Sequence, residues 1–241
     1  MISGGQRIDD EPAYVIHRRR FRETSLIVEA FTASRGRVGL VARGARRARS
    51  RLNGVLQPFS ALRISSAGRG DLATLRSAEA QGRSIWLTGP ALFGGLYVNE
   101  LIYRLCARHD PHPDVFSAYE NVLAALTVRI HDRRWMEWGL RLFEKRLLQG
   151  IGYGLMLEGD AINGEALEPD RWYTFVPKRG PVPASHRTQS RFPRVEGAAL
   201  IALRAETLHE DTPIVQLKAV ARAALRPYLG ARPIASRALF T

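Results

Sequence analysis

The hydrophobic period of this chain changes near residue 84, and the change restricts it to a strand-built front followed by a helix-built back. Before that point the apolar runs are short and rich in β-branched residues: Tyr14-Val15-Ile16, Leu26 to Phe31, Val38 to Val41, Leu62 to Ile64 and Leu72 to Leu75. Turn residues separate them, Ser34-Arg35-Gly36-Arg37 between the second and third and Gly68-Arg69-Gly70-Asp71 before the last. Five strands over about 70 residues, with no amphipathic helix among them, predict a small closed barrel of the OB or SH3-like type. The Arg-Gly-Asp string at 69–71 reads as part of a turn, not as an adhesion signal.

After residue 84 apolar residues recur at three- and four-residue spacing, as in Leu96, Tyr97, Leu101, Leu105 and in Ala91, Val98, Ile102. Pro111 and Pro113 break that pattern before a second helix over 115–128. A third begins near Arg134 and stops at Gly150-Ile151-Gly152-Tyr153-Gly154. A dinucleotide fingerprint follows a strand and opens a helix, whereas this glycine run follows a helix, so it reads as a helix stop. Residues 158–195 form an irregular excursion with one strand over 172–176. Two further helices are expected over 196–206 and 213–226, the last with Thr212 as N-cap and Pro213 at its first position. The expected fold class is α+β and multidomain: an N-terminal barrel over 1–81, then a mainly α-helical domain over 82–241.

Charge says what such a chain meets. Lys plus Arg minus Asp plus Glu is 36 − 23 = +13, a surplus that suits a polyanion such as nucleic acid, an anionic membrane face or an acidic protein tail. Only Lys145, Lys178 and Lys218 are lysines; a GC-rich genome accounts for the choice of Arg, but not for the excess over acids. Residues 1–81 hold 15 Arg against 7 acids, a net of +8, and eleven of those Arg lie between His17 and Arg51 with only two acids among them. Arg18, Arg19, Arg20 and Arg22 are expected to leave the first strand, Arg35 and Arg37 to sit in the next turn, and Arg43, Arg46, Arg47, Arg49 and Arg51 to form a Gly- and Ser-punctuated loop. Arginines on barrel loops neutralise phosphates and release counterions. A solvated Arg-rich face is the alternative, and nucleic acid is favoured over it, whereas Phe21, Phe31 and Phe59, which could stack on bases, read first as core. On the last helix Lys218, Arg222 and Arg226 recur opposite Ile214, Leu217, Val220 and Leu225, an ordinary amphipathic arrangement.

Other chemistry is poorly supported. One cysteine, Cys106, excludes an internal disulfide or a multi-Cys zinc site, and its apolar neighbours make it a core filler. No apolar run approaches 18 residues, and Met1 to Glu11 is polar, so the expected location is cytoplasmic. His109 and His112 alone do not make a metal site. No Walker A string, Ser–His–Asp order, G-x-S-x-G or paired carboxylates stand out. The expectation is a protein that is not an enzyme and needs no cofactor. On the third helix, Trp135, Trp138 and Leu142 share a face. Arg141 lies four residues after Glu137, where it would pair with that acid or offer its guanidinium to a partner carboxylate.

Several strings, taken in order, resemble the RecO family of bacterial recombination mediators. They are Glu23-Thr24-Ser25-Leu26 with Phe31-Thr32, Gly36-Arg37-Val38, Ala42 to Arg46, Leu56-Gln57-Pro58-Phe59 and Leu75 to Glu79. The helical part adds Gly95 to Leu101, Phe143-Glu144 with Leu147-Leu148, Gly152-Tyr153-Gly154, Pro227 to Gly230 and Ser236-Arg237. No one string is specific; the ordered set is. The resemblance implies an OB barrel followed by a helical domain. It implies binding of single- and double-stranded DNA, annealing of strands coated with single-strand binding protein (SSB), and, together with RecR, assistance to RecA loading, in the cytoplasm at the nucleoid.

The family also offers a basic residue near the Phe-Glu motif to the acidic SSB tail, which implies that role for Arg141, with Trp138 and Lys145 beside it. Some members carry a four-Cys zinc knuckle after the Gly-Tyr-Gly segment; Glu158 to Glu168 holds no Cys here, so no structural zinc is expected. The rival reading is a protein-interaction adaptor whose basic face meets acidic protein tails without touching DNA.

Overall fold

Five strands, β1 (Gln6–Phe21), β2 (Ser25–Thr32), β3 (Gly36–Ala42), β4 (Ala61–Gly68) and β5 (Ala73–Ala80), close into a barrel in the order β1-β2-β3-β5-β4. This computed structural model describes residues 6–68, 70–82, 85–128, 132–184 and 190–236; Met1 to Gly5, Arg69 and Arg237 lie outside them. Closure rests on β1, which pairs antiparallel with β2 through one part of its length and with β4 through another, and on a parallel contact of β3 with β5. Irregularities between Val15 and His17 and between Ile8 and Glu11 bend β1 enough to serve both neighbours. This is the OB-like barrel expected from the strand spacing. A five-residue helix, α1 (Arg51–Val55), falls where a loop was expected, and Leu52 and Val55 pack on the barrel core.

All eight residues of β2 are buried, so the strand does not alternate. Leu26, Val28 and Ala30 fill the barrel, while Phe31 on the other face meets an aromatic cluster. Two helices follow the barrel, α2 (Gly89–Leu105) and α3 (Pro113–Val128), and the cluster is completed by α3: Phe31 and Tyr14 lie 5.0–6.1 Å, centroid to centroid, from Phe116 and Tyr119, and the Tyr119 hydroxyl donates to Asn99 of α2 at 2.7 Å. Burial, with Glu120 beside it, pushes the Tyr14 hydroxyl up to about 12, and that hydroxyl donates to Glu120 at 3.2 Å. One compact unit therefore comprises Met1–Leu123 with Ile234–Thr241, and a second comprises Ala124–Pro233.

Cys106 caps α2 from a buried position, as its apolar neighbours suggested, and burial pushes its thiol up to about 12. The folded protein should accordingly resist a thiol-specific disulfide reagent at pH 8 and release one equivalent only on denaturation. Rapid labelling of the native protein would contradict this placement.

The second unit holds α4 (Arg133–Gly150), a three-stranded sheet of β6 (Trp172–Val176), β7 (Gly180–Pro183) and β8 (Arg194–Glu196) in the order β7-β6-β8, and the helices α5 (Gly197–Ala205) and α6 (Ile214–Leu229). Its core gathers Trp138, Phe143, Leu147, Tyr173, Phe175, Leu200, Leu217 and Leu225. The glycine run ends α4 as expected: Gly152 takes φ +83, its N–H donates to the Gln149 carbonyl, and the Tyr153 N–H donates to the Leu148 carbonyl at 2.7 Å. The Thr212 cap is corrected. Pro213 occupies the N-cap position of α6, and the buried Thr212 hydroxyl instead accepts the His209 N–H at 3.0 Å. The excursion is also more ordered than expected. It contains β7 and β8, and before them a turn in which the Asp160 carboxylate accepts the N–H groups of Ile162 and Asn163, each at 2.8 Å.

Candidate nucleic-acid interface

The arginines between His17 and Arg51 do not form one set. Arg18, Arg19 and Arg20 lie within β1, paired with Val28, Ile27 and Leu26, and do not leave the strand as expected; Arg22 is in the turn after it, its guanidinium 5.1 Å from the Phe21 ring centre. Leu26 pairs in turn with Ala42, so Arg20 and Arg43 belong to the same end of the barrel. The loop 43–50 is fastened there as well. The Arg46 N–H donates to the Thr24 carbonyl at 2.8 Å, and the Arg46 guanidinium donates to the Glu23 carbonyl at 2.9 Å.

Arg46 thereby acts as a clamp that fastens the loop carrying Arg43, Arg47 and Arg49 to the β1–β2 turn, and Arg51 opens α1 directly after that loop. Arg18 is engaged in the same way, donating to the Leu56 carbonyl at 3.1 Å. What remains outward at this end is Arg19, Arg20, Arg22, Arg43, Arg47, Arg49 and Arg51, all exposed, and among the described residues none of them makes an ion pair. Of the two acids in this stretch, Glu23 is exposed and Glu29 is buried.

Arg35 stands at the other end, in the turn beyond the pairing of Thr32 with Gly36, whereas Arg37 is not in that turn as expected but inside β3, paired with Phe31. The eight residues of β2 separate the two ends by roughly 23 Å. Arg35 is exposed, but Arg37 is not a free cation. It lies 3.5 Å from the Glu29 carboxylate and 4.6 Å from the centre of the Tyr103 ring, with its side chain 13% exposed. Arg108 closes on the same carboxylate with two nitrogens. The hydrogen bond raises the Arg108 pKa despite partial burial. This three-residue cluster was missed, although a single Glu inside the apolar run Leu26-Ile27-Val28-Glu29-Ala30-Phe31 was its signal. Phe31 and Phe59 are buried and offer no face to a base.

On α4 the three residues implied for a partner tail lie in different surroundings. Trp138 is core, and Lys145 donates to the Arg204 carbonyl and to Glu206, both at 3.0 Å. Arg141 is buried and pairs with Glu144 at 2.9 Å; the expected partner, Glu137, instead holds Arg133. The Nε and Nη1 atoms of Arg141 are buried with no hydrogen-bond partner among the described residues. His112 pairs with Asp110 at 3.1 Å, and no cluster of three or more metal-ligating side chains occurs among the described residues.

The chain matches two family models, "Recombination protein O N terminal" over residues 9–82 and "Recombination protein O C terminal" over residues 88–238. A DNA repair protein RecO of Methylococcus capsulatus is 42% identical over 95% of this chain and 91% of its own length. The protein of that name from Dechloromonas aromatica is 42% identical over 97% of this chain and 96% of its own, and the one from Nitrosococcus oceani is 41% identical over 97% and 93%. With matched halves that meet near residue 85, where the strands give way to helices, the chain belongs to the recombination protein O family.

Proposed function

We propose that this protein is a non-enzymatic DNA-binding factor of recombinational repair, working in the cytoplasm at the nucleoid. It binds single- and double-stranded DNA, anneals complementary strands coated with SSB and, with RecR, helps RecA to load. Residues 1–81 are the DNA-binding OB domain and residues 82–241 the helical domain that engages the SSB tail. The observation that carries this reading is the set of seven exposed, unpaired arginines gathered at one end of the barrel by the Arg46 clamp. A phosphate backbone needs clustered cations that are not already neutralised, and guanidinium forks suit it. Arg35 and Arg37 stand apart from that set at the other end of the barrel, and Arg18 and Arg46 support it through their bonds to backbone carbonyls.

For the SSB tail the supporting feature is Arg141, whose two unbonded nitrogens fit a carboxylate; Trp138, in the core, and Lys145, held by Glu206, lie one turn to either side of it on α4. The test is annealing of complementary oligonucleotides coated with SSB, with and without the SSB C-terminal tail. Annealing should depend on the tail, and Arg141→Ala should retain bare-strand annealing while losing at least about tenfold in the SSB-dependent rate, given the worth of a charge-assisted bond. Equal loss in both assays would remove Arg141 from the tail-binding role. Absence of annealing on either template would favour the adaptor reading.

A further inference from the structure

The second compact unit contains an aromatic cleft that the arginine end of the barrel leaves unexplained. Tyr153, in the glycine run after α4, stacks on Tyr228 near the end of α6, with ring centres 4.1 Å apart and an interplanar angle of 24°. The Lys178 ammonium, in the β6–β7 turn, lies 5.4 Å from the centre of the Tyr228 ring. Leu155, Met156, Phe175 and Ala224 supply the remaining apolar side chains of a cleft of about 410 Å³, and among the described residues Lys178 is the charged one that lines it. A stack whose only purpose is to join α4 to α6 would be closed over by apolar side chains. Here Tyr153 is 51% exposed and Met156 60% exposed.

The surroundings carry a matching charge. Among the described residues from Trp172 to Val195 there are four basic side chains, Lys178, Arg179, Arg191 and Arg194, and no acid, while Arg171 just before them is paired with Glu168. In that stretch Arg194 lies 5.3 Å from the centre of the exposed Trp172 ring, and Arg191 lies 4.9 Å from that of Phe192. Open aromatic rings beside unneutralised cations are what single-stranded nucleic acid requires, because bases stack on the rings while the cations meet the phosphates.

We propose that the Tyr153–Tyr228 stack with Lys178 is a base-stacking pocket for single-stranded DNA, a second contact on the helical part of the chain, where an unpaired base extends the tyrosine stack and Lys178 meets its phosphate. It deepens the DNA-binding reading and rests on it. The pocket takes bases, whereas the barrel end takes phosphates, and the two differ in what they demand of a ligand. An oligonucleotide of abasic sugar–phosphate units satisfies the barrel but not the pocket.

The experiment compares the affinity of the full chain for a thymine oligonucleotide with that for an abasic strand of equal length. Wild type should prefer the base-bearing strand by about tenfold, the worth of one to two stacked bases. Tyr153→Ala and Tyr228→Leu should each abolish the preference while leaving abasic binding unchanged, Tyr153→Phe should keep it, and Lys178→Ala should weaken both strands slightly. A 2-aminopurine placed in the strand should lose fluorescence on wild type and regain it on Tyr153→Ala.

If the tyrosine variants keep the full preference, the stacking pocket is wrong while the barrel reading stands. If wild type binds neither strand, both fall together. If Tyr228→Leu leaves the oligonucleotide untouched but loses an acidic peptide ending in Phe, the cleft is a peptide site and the proposal is overturned.

Discussion

Replacing Arg47 and Arg49 together with Glu should lower affinity for a single-stranded oligonucleotide at least about tenfold and reduce the log–log salt slope by about 1.5, since each lost phosphate contact removes its share of counterion release. Both side chains are exposed and unpaired, so the thermal midpoint should stay where it is. Arg35→Glu is the informative control. It reverses one exposed charge at the far end of the barrel, and it should leave affinity within about twofold of wild type and the slope nearly unchanged, as expected for a cation some two Debye lengths from the contact. An Arg35 variant as damaged as the pair would mean that DNA responds to diffuse net charge and not to this end of the barrel. Arg46 is not equivalent to this pair. Its guanidinium holds the Glu23 carbonyl, so its loss would displace the loop as well as remove a charge.

Glu29→Ala should destabilise the first unit by about 3–5 kcal/mol, the cost of leaving buried charge uncompensated. The carboxylate is 3% exposed, and two guanidiniums converge on it from β3 and from the segment after α2. Removing it would leave Arg37 beside the Tyr103 ring with its Nε and Nη1 already lacking hydrogen-bond partners. Urea unfolding read by tryptophan fluorescence would measure the loss, and a shift under about 1 kcal/mol would show that solvent reaches the cluster and screens it. Arg37→Ala should act mainly on stability, in contrast to Arg47 and Arg49, which should act mainly on binding. That contrast separates the structural arginines from the exposed ones proposed to meet DNA.

Most of the barrel and all the long helices are legible in the sequence because each has a clean period: alternating or β-branched runs between turns, then apolar residues every three or four positions. The second sheet was half-legible for a specific reason. Gly180-Pro181-Val182-Pro183 reads as loop, since proline removes a ladder donor. Among the described residues β7 is an edge strand that pairs with β6 alone, and there the missing donors are tolerated. The five residues of α1 are too few to show a helical period.

The site was less legible than the fold. Sequence proximity grouped Arg35 and Arg37 with the other arginines, whereas a strand runs from one end of the barrel to the other between them and the rest. Nor does a string of letters distinguish Arg47, which is free, from Arg46, whose nitrogens are taken by carbonyls 22 to 24 residues earlier. The edge of the first compact unit was equally hidden. The period changes near residue 84, but Phe116 and Tyr119 pack on Tyr14 and Phe31, so the unit continues to Leu123.

If the arginine end of the barrel binds DNA through phosphates, wild-type affinity for a single-stranded oligonucleotide must fall steeply with salt. Six to seven phosphate contacts predict that log affinity falls with log salt at a slope of about −4 to −5. A slope near zero, or no binding at low salt, would contradict the claim and leave acidic protein tails as the partner of this surface.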